Sequence, residues 1–432
     1  MNNEKDRAFL VGIIKNSEHK EHALETMQEL RMLAETAEID IVDTYVQNVK
    51  KPNVATYIGK GKVSEIADHA QNRQVSTLIF NDNLTPAQAR NISNATRCNV
   101  VDRTELILDI FALHARTNQA KLQVELAQLE YSYTKLKRMW KHLSRIQGGI
   151  GFRGPGEKQI EIDRREIKKK ISILKKKIKE IEMVSNTKRK QRQNMLSVSL
   201  VGYTNAGKST LFNRLTKEKR YVADQLFATL DAKTRGVVLN NEERMVLTDT
   251  IGFIRDLPHN LVSSFHSTLM EVSEADLLMH VVDVSHPNLD EYIQAVNRVL
   301  TEIGVDHKTT NILHVFNKCD LMDKIQMMFI KKKLQLEYPH AVFISAKSGE
   351  GMDILYQKLE EFSVKIKKTA TIHIPIKLQN LISFVHDNAK IIDSRYDDEK
   401  GEMIMRVKID RQLFPNIEKQ IKDYKMYEYI NK

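Results

Sequence analysis

Leu196-Ser197-Val198-Ser199-Leu200-Val201 runs directly into Gly202-Tyr203-Thr204-Asn205-Ala206-Gly207-Lys208-Ser209. The first six residues alternate and are partly β-branched, the signature of a strand. The next eight have the phosphate-cradle spacing: two glycines bracketing four residues, then Lys and Ser. Thr210-Leu211-Phe212-Asn213-Arg214-Leu215 follows as the start of a helix. In a strand–loop–helix setting, backbone N–H groups of the loop and helix N-terminus point at phosphate oxygens. Lys208 then supplies a point charge to the terminal phosphates, and Ser209 a hydroxyl for Mg²⁺.

Three further motifs stand at strand ends downstream. Asp249-Thr250-Ile251-Gly252 follows Met245-Val246-Leu247. A carboxylate there can hold Mg²⁺ through water, and the glycine lets backbone meet a γ-phosphate. Asn317-Lys318-Cys319-Asp320 follows Ile312-Leu313-His314-Val315-Phe316. The Asp320 carboxylate can accept both N–H groups of guanine's Watson–Crick edge, which adenine does not offer. Ser345-Ala346-Lys347 follows Ala341-Val342-Phe343-Ile344. A chance Gly-rich turn would not be followed by all three in this order.

Together they resemble the guanine-nucleotide signature of translation-factor-like GTPases. That resemblance implies that Asp320 contacts guanine, Asn317 braces the loop, the Lys318 stem covers the base and the Ala346 N–H meets the guanine carbonyl. It also implies that Thr229, in Phe227-Ala228-Thr229-Leu230-Asp231, is the mobile residue that ligates Mg²⁺ when a γ-phosphate is present. GTP and GDP are the expected ligands, Lys208, Thr229 and Gly252 the expected catalytic residues, and Ser209, Thr229 and Asp249 the expected metal ligands.

The catalytic position departs from the common pattern. Many GTPases place Gln after this glycine to orient the attacking water; here Phe253 stands there and cannot. Asn205 has two readings: its amide oxygen helps hold a K⁺ ion near the phosphates, as in potassium-stimulated GTPases, or it is a turn residue tolerant of left-handed backbone.

The chain has 432 residues with 41% hydrophobic content, enough for two to four domains, one of them a GTPase of about 170 residues. No apolar run approaches a membrane span, and the N-terminus Met1-Asn2-Asn3-Glu4-Lys5-Asp6 is unlike a signal peptide. The two cysteines, Cys98 and Cys319, form no disulfide framework or metal cluster, which fits a reducing cytoplasm.

The net charge of +11 is concentrated in one segment. Residues 135–192 hold 20 Lys/Arg against six Asp/Glu, so the remainder sums to −3. Leu122, Leu126, Leu129, Tyr133, Leu136, Trp140 and Leu143 form one heptad seam, and Ile160, Ile167, Ile171, Leu174, Ile178 and Ile181 a second. Gly148-Gly149-Ile150-Gly151-Phe152-Arg153-Gly154-Pro155-Gly156 breaks the helix between them. The pattern predicts a long antiparallel helical hairpin with basic outer faces. Lys135, Lys137, Arg138, Lys141, Arg145 and Arg153 lie toward the break; Lys168-Lys169-Lys170 and Lys175-Lys176-Lys177 lie on the second helix. Such density points to a polyanion, RNA before DNA or membrane, as no helix-turn-helix or zinc finger is present.

The predicted fold is α/β: an N-terminal α/β domain (1–102), the basic hairpin (103–193), a P-loop GTPase domain (194–366) and a small C-terminal α/β domain (367–432). In the first, Ala8–Ile14 and Thr77–Phe80 read as strands, with helices near 19–36, 62–73 and 85–96. Tyr57-Ile58-Gly59-Lys60-Gly61-Lys62 lacks the Walker spacing and reads as a basic turn.

The chain resembles the HflX GTPase family. The resemblance is carried by Tyr57-Ile58-Gly59-Lys60-Gly61-Lys62-Val63, by 81–90 (NDNLTPAQAR) and 102–111 (DRTELILDIF), by Gly148–Gly151 and Arg153–Glu157, and by Phe227–Asp231. It implies a cytoplasmic GTPase, expected to be monomeric, that binds the large ribosomal subunit and its RNA. It further implies that the hairpin tip approaches the peptidyl-transferase region, and that the protein splits or rescues stalled ribosomes under stress or antibiotic exposure. The alternatives are a ribosome-biogenesis GTPase and a GTP-regulated RNA-binding protein. The second helix is more basic than the family pattern.

Overall fold

The computed structural model of the chain describes residues 6–15, 20–146, 155–190, 195–217, 226–227, 229–240, 244–255, 265–307, 309–398, 400–410 and 427–428. Residues 148–154 of the predicted hairpin break, Phe152 and Arg153 among them, and Ala228 of the threonine motif lie outside the described residues, while Pro155 and Gly156 of that break open a helix instead.

The chain begins with alternating strands and helices: β1 (Arg7–Lys15), α1 (Lys20–Thr36), β2 (Asp40–Val49), α2 (Lys60–Arg73), β3 (Thr77–Phe80), α3 (Pro86–Thr96) and β4 (Asn99–Asp102). They make a parallel sheet of order β2-β1-β3-β4. The middle of β1 is buried on both faces, as a parallel sheet with helices on each side requires. Helix α3 starts at a capping box, with Thr85 and Gln88 satisfying each other's backbone N–H. Asp102 and Glu105 do the same for α4 (Arg103–His114). Sequence patterning missed β2 and β4.

Two long helices follow, α5 (Asn118–Ile146) and α6 (Pro155–Lys190). Leu126, Leu174 and Ile178 pack together, joined by Leu122, Leu129 and Ile171, all seam positions. The Arg164 guanidinium lies 5.6 Å from the Tyr133 ring, and Lys175 pairs with Glu130 at 2.8 Å. Later residues of α5 thus face earlier residues of α6, so the two run antiparallel.

Next come β5 (Leu196–Val201), α7 (Lys208–Thr216), β6 (Lys233–Val238), β7 (Arg244–Asp249), α8 (His266–Ser273), β8 (Leu277–Asp283), α9 (Leu289–Glu302), β9 (Asn311–Asn317), α10 (Lys324–Glu337), β10 (Val342–Phe343) and α11 (Met352–Ile366). The sheet order is β10-β9-β8-β5-β7-β6, parallel except for edge strand β6. This is an α/β P-loop GTPase fold. Its motifs leave the carboxyl ends of β5, β7, β9 and β10, the edge of an open parallel sheet where ligands bind.

β11 (Lys367–Pro375), α12 (Gln379–Asn388), β12 (Ala389–Asp397), β13 (Glu402–Asp410) and β14 (Tyr427–Glu428) form an antiparallel sheet of order β12-β13-β11-β14. Leu381 and Val385 of α12 cover Ile372, Ile374, Met405 and Val407. Among the described residues α12 stands between β11 and β12, and β12 and β13 pair directly as an antiparallel hairpin. Long antiparallel pairing needs only short turns between strands.

Candidate functional site

The glycines of the cradle are required by space and backbone. A Cβ on Gly202, at φ +152°, would lie 2.2 Å from the Val281 carbonyl oxygen. One on Gly207, at φ +89°, would lie 2.2 Å from the Asn317 amide nitrogen. Asn205 takes a left-handed φ of 59° without a glycine.

These turns fold the loop around Lys208, which is buried. Its ammonium donates to the carbonyls of Gly202 at 3.1 Å and Tyr203 at 2.7 Å. Burial pulls its pKa down to about 8, against the raising effect of the Asp249 charge. Burial in turn raises the Asp249 carboxyl, with Lys208, Ser209 and Thr229 opposing.

Three oxygens converge beside it. Ser209 Oγ donates to Asp249 Oδ2 at 2.9 Å, Thr229 Oγ1 donates to the same oxygen at 3.0 Å, and the two hydroxyls are 2.9 Å apart. Asp249 Oδ1 is buried with no hydrogen-bond partner among the described residues. A buried carboxylate oxygen left unpaired among hydroxyls fits a hard cation that prefers oxygen ligands. Ser209 and Thr229 would hold Mg²⁺ directly and Asp249 through water. When bound, the ion would neutralise charge on the β- and γ-phosphate oxygens.

On the far side, Asn317 ties two loops together. Its amide nitrogen donates to Ala206 O at 2.9 Å, and its amide oxygen accepts from Ala346 N at 2.8 Å. Lys318 pairs with Asp283 at 2.7 Å. Ser345 Oγ accepts from Ser348 N at 3.0 Å, closing the Ser345–Lys347 turn. Arg214, which the sequence reading passed over, donates to the carbonyls of Ala346 and Lys347, both at 2.6 Å. Only its place in the last turn of the cradle helix hinted at this.

A cleft of about 500 Å³ runs between the two halves. Thr204, Asn205, Gly207, Lys208, Ser209, Thr210, Phe227, Thr229, Thr250, Gly252, Asn317, Lys318, Asp320, Ala346 and Lys347 line it, as does Leu321, which the sequence reading had not singled out. Leu230 and Ile251 are buried in the core instead. The Tyr203 side chain also faces away, hydrogen-bonded to Glu29 and stacked on Tyr292 at 3.9 Å.

Phe253 is buried in the core and does not line the cleft. Its backbone is joined to the cradle: Phe253 N donates to Gly202 O at 3.1 Å, and Thr204 N donates to Phe253 O at 2.7 Å. No side chain at this position addresses a water.

Family comparisons agree with this geometry. Residues 24–112 match the GTP-binding GTPase N-terminal family, 114–192 the GTP-binding GTPase middle region, 197–318 the family described as 50S ribosome-binding GTPase, and 330–428 the HflX C-terminal domain. The GTPase HflX of Caldanaerobacter subterraneus subsp. tengcongensis is 42% identical over 92% of this chain and 90% of its own length. The chain belongs to the HflX family of GTPases. The Escherichia coli GTPase HflX is 40% identical over 89% of this chain and 90% of its own. A crystal structure of a Sulfolobus solfataricus GTP-binding protein with GDP is 28% identical, covering 83% of this chain and 99% of that one, at a TM-score of 0.45. As a member of this GTPase family, with relatives about 40% identical over most of its length, the chain binds GTP and hydrolyses it.

The predicted RNA-facing residues divide. The two lysine triplets on α6 are exposed, though Lys175 reaches across to Glu130. Lys135 corrects the expectation: its ammonium is held 2.6 Å from Glu105 and 3.1 Å from Asp102, and lies 4.8 Å from the Tyr131 ring centroid. Two carboxylates at the capping box outcompete solvent for it. Helix α5 carries Lys137, Arg138, Lys141 and Arg145 beyond that point. Cys98 and Cys319 are free thiols. Among the described residues no cluster of metal-ligating side chains stands elsewhere, and no helix is long and apolar enough to cross a membrane.

Proposed function

We infer that this HflX GTPase acts on the large ribosomal subunit in the cytoplasm, splitting or rescuing stalled ribosomes. In this reading the chain divides at residues 102, 193 and 366. The hairpin grips ribosomal RNA, GTP orders the segments around Thr229 and Asp249, and hydrolysis releases them. The observation that carries the reading is the pair of solvent-facing lysine triplets on α6, in a chain whose next segment matches the 50S ribosome-binding GTPase family. Each phosphate they meet would release counterions, giving strong salt dependence.

Phe253 supports slow unassisted turnover, since its ring is buried away from the cleft and carries no group that could orient water. Helpers supplied in trans raise such rates by about 10³–10⁵ in other GTPases. Purified large subunits are therefore expected to raise GTP turnover at least ~10-fold. Unassisted turnover that is already fast, and unchanged by subunits, contradicts the reading. The same assay in K⁺ and in Na⁺ decides Asn205. A faster rate in K⁺ makes it a cation ligand, and equal rates leave it a turn residue.

A further inference from the structure

The segment carrying Thr229 is fastened at its other end to the root of the helical hairpin. Two residues after Thr229, the Asp231 carboxylate accepts from the backbone N–H groups of Arg116 at 3.1 Å and Thr117 at 3.2 Å. Thr117 Oγ1 donates to its second oxygen at 2.5 Å. Thr117 is itself the cap of α5, accepting from Ala120 N at 3.1 Å. A negative charge here also meets the positive end of the dipole of a 29-residue helix.

A second, apolar contact joins the same parts. Phe111, near the end of α4, meets Phe227 edge-to-face at 4.7 Å and Phe265 at 5.0 Å. Phe227 lies just before Thr229, and Phe265 lies at the start of α8 beyond the Asp249–Gly252 motif. One ring thus wedges between the two segments that follow nucleotide state.

We propose that Asp231 and Phe111 are positioning residues that latch the hairpin to the nucleotide cycle, so that movement of Thr229 swings α5 and α6. The proposal rests on the reading of Thr229 as the γ-phosphate-dependent ligand. Its physical basis is length. Thr229 and Asp231 are separated by one residue, so Thr229 cannot move far while Asp231 holds its three hydrogen bonds. Either the bonds break or the helix root follows. Coupling of this kind is reciprocal: seating of the hairpin must bias nucleotide affinity by the same factor.

Double electron–electron resonance on the full chain tests this. Spin labels go on ketone side chains introduced at Arg165 of α6 and Lys332 of α10, leaving Cys319 of the guanine loop untouched. Between GDP and a non-hydrolysable GTP analogue, the mean distance should change by about 2 Å or more. Asp231→Ala should abolish the change, Thr117→Ala should reduce it, and Asp231→Asn, which keeps one acceptor oxygen, should lie between. Titration with a fluorescent GDP analogue on the same samples reports the cleft separately, and affinity in Asp231→Ala should stay within about threefold of wild type. A full distance change in Asp231→Ala, or none in wild type, overturns the latch. No ribosome enters the assay, so its outcome is independent of the ribosomal reading.

Discussion

Lys208→Ala is expected to abolish tight GTP binding. The ammonium is buried and donates to the Gly202 and Tyr203 carbonyls. Terminal phosphates would take over those donors at a buried site. Two charge-assisted hydrogen bonds are worth about 1.5–3 kcal/mol each, so affinity should fall by at least ~100-fold. Isothermal titration checks it, and a loss below tenfold would contradict the placement. The same lysine predicts a pH dependence. With its pKa lowered to about 8 by burial, the nucleotide-free protein loses this charge as pH rises through that value. Phosphates favour the charged form and so raise the pKa in the complex. Binding must then take up a proton, and GTP affinity should fall as pH rises above about 8 while remaining flat below it.

Asp320→Asn is expected to exchange one base for another. Asp320 lines the same cleft as Lys208, where its carboxylate can accept from both guanine N–H groups. An amide there turns one acceptor into a donor, which faces guanine's amino group. Losing one charged hydrogen bond, setting two donors face to face and leaving the other bond uncharged should cost at least ~100-fold in GTP affinity. Xanthine carries an oxygen where guanine carries that amino group, so the variant should gain affinity for xanthosine triphosphate. Competition titration with both nucleotides measures this. Unchanged GTP preference would remove Asp320 from base recognition.

The site was legible where chemistry imposes spacing. Gly202–Ser209, Asp249–Gly252, Asn317–Asp320 and Ser345–Lys347 each follow an apolar strand, because a parallel sheet delivers ligand-binding loops from one edge. The α5–α6 seams were legible because a two-helix contact repeats every 3.5 residues. What escaped was short or distant. Strand β4 holds only two apolar residues, Val100 and Val101, between Asn99 and Asp102, whereas the equally short β3 has three apolar residues in a row. β2 mixes polar and apolar positions and lies mostly half-exposed. The Lys135 pairing with Asp102 and Glu105, the Arg214 clamp on Ala346 and the Asp231 bond to Thr117 join residues 30 to 132 positions apart. Local pattern carries no trace of such contacts. Tyr203 shows the limit most plainly: it sits inside the cradle motif, yet its ring serves the packing against Glu29 and Tyr292.

The central claim is that GTP in this cleft puts the protein on the large ribosomal subunit. Sedimentation of the full chain with isolated subunits through a sucrose gradient tests it most directly. Co-sedimentation with large but not small subunits is expected in a non-hydrolysable GTP analogue, lost in GDP and weakened steeply by added salt. Equal binding in both nucleotides, or none to the large subunit in either, would contradict the account.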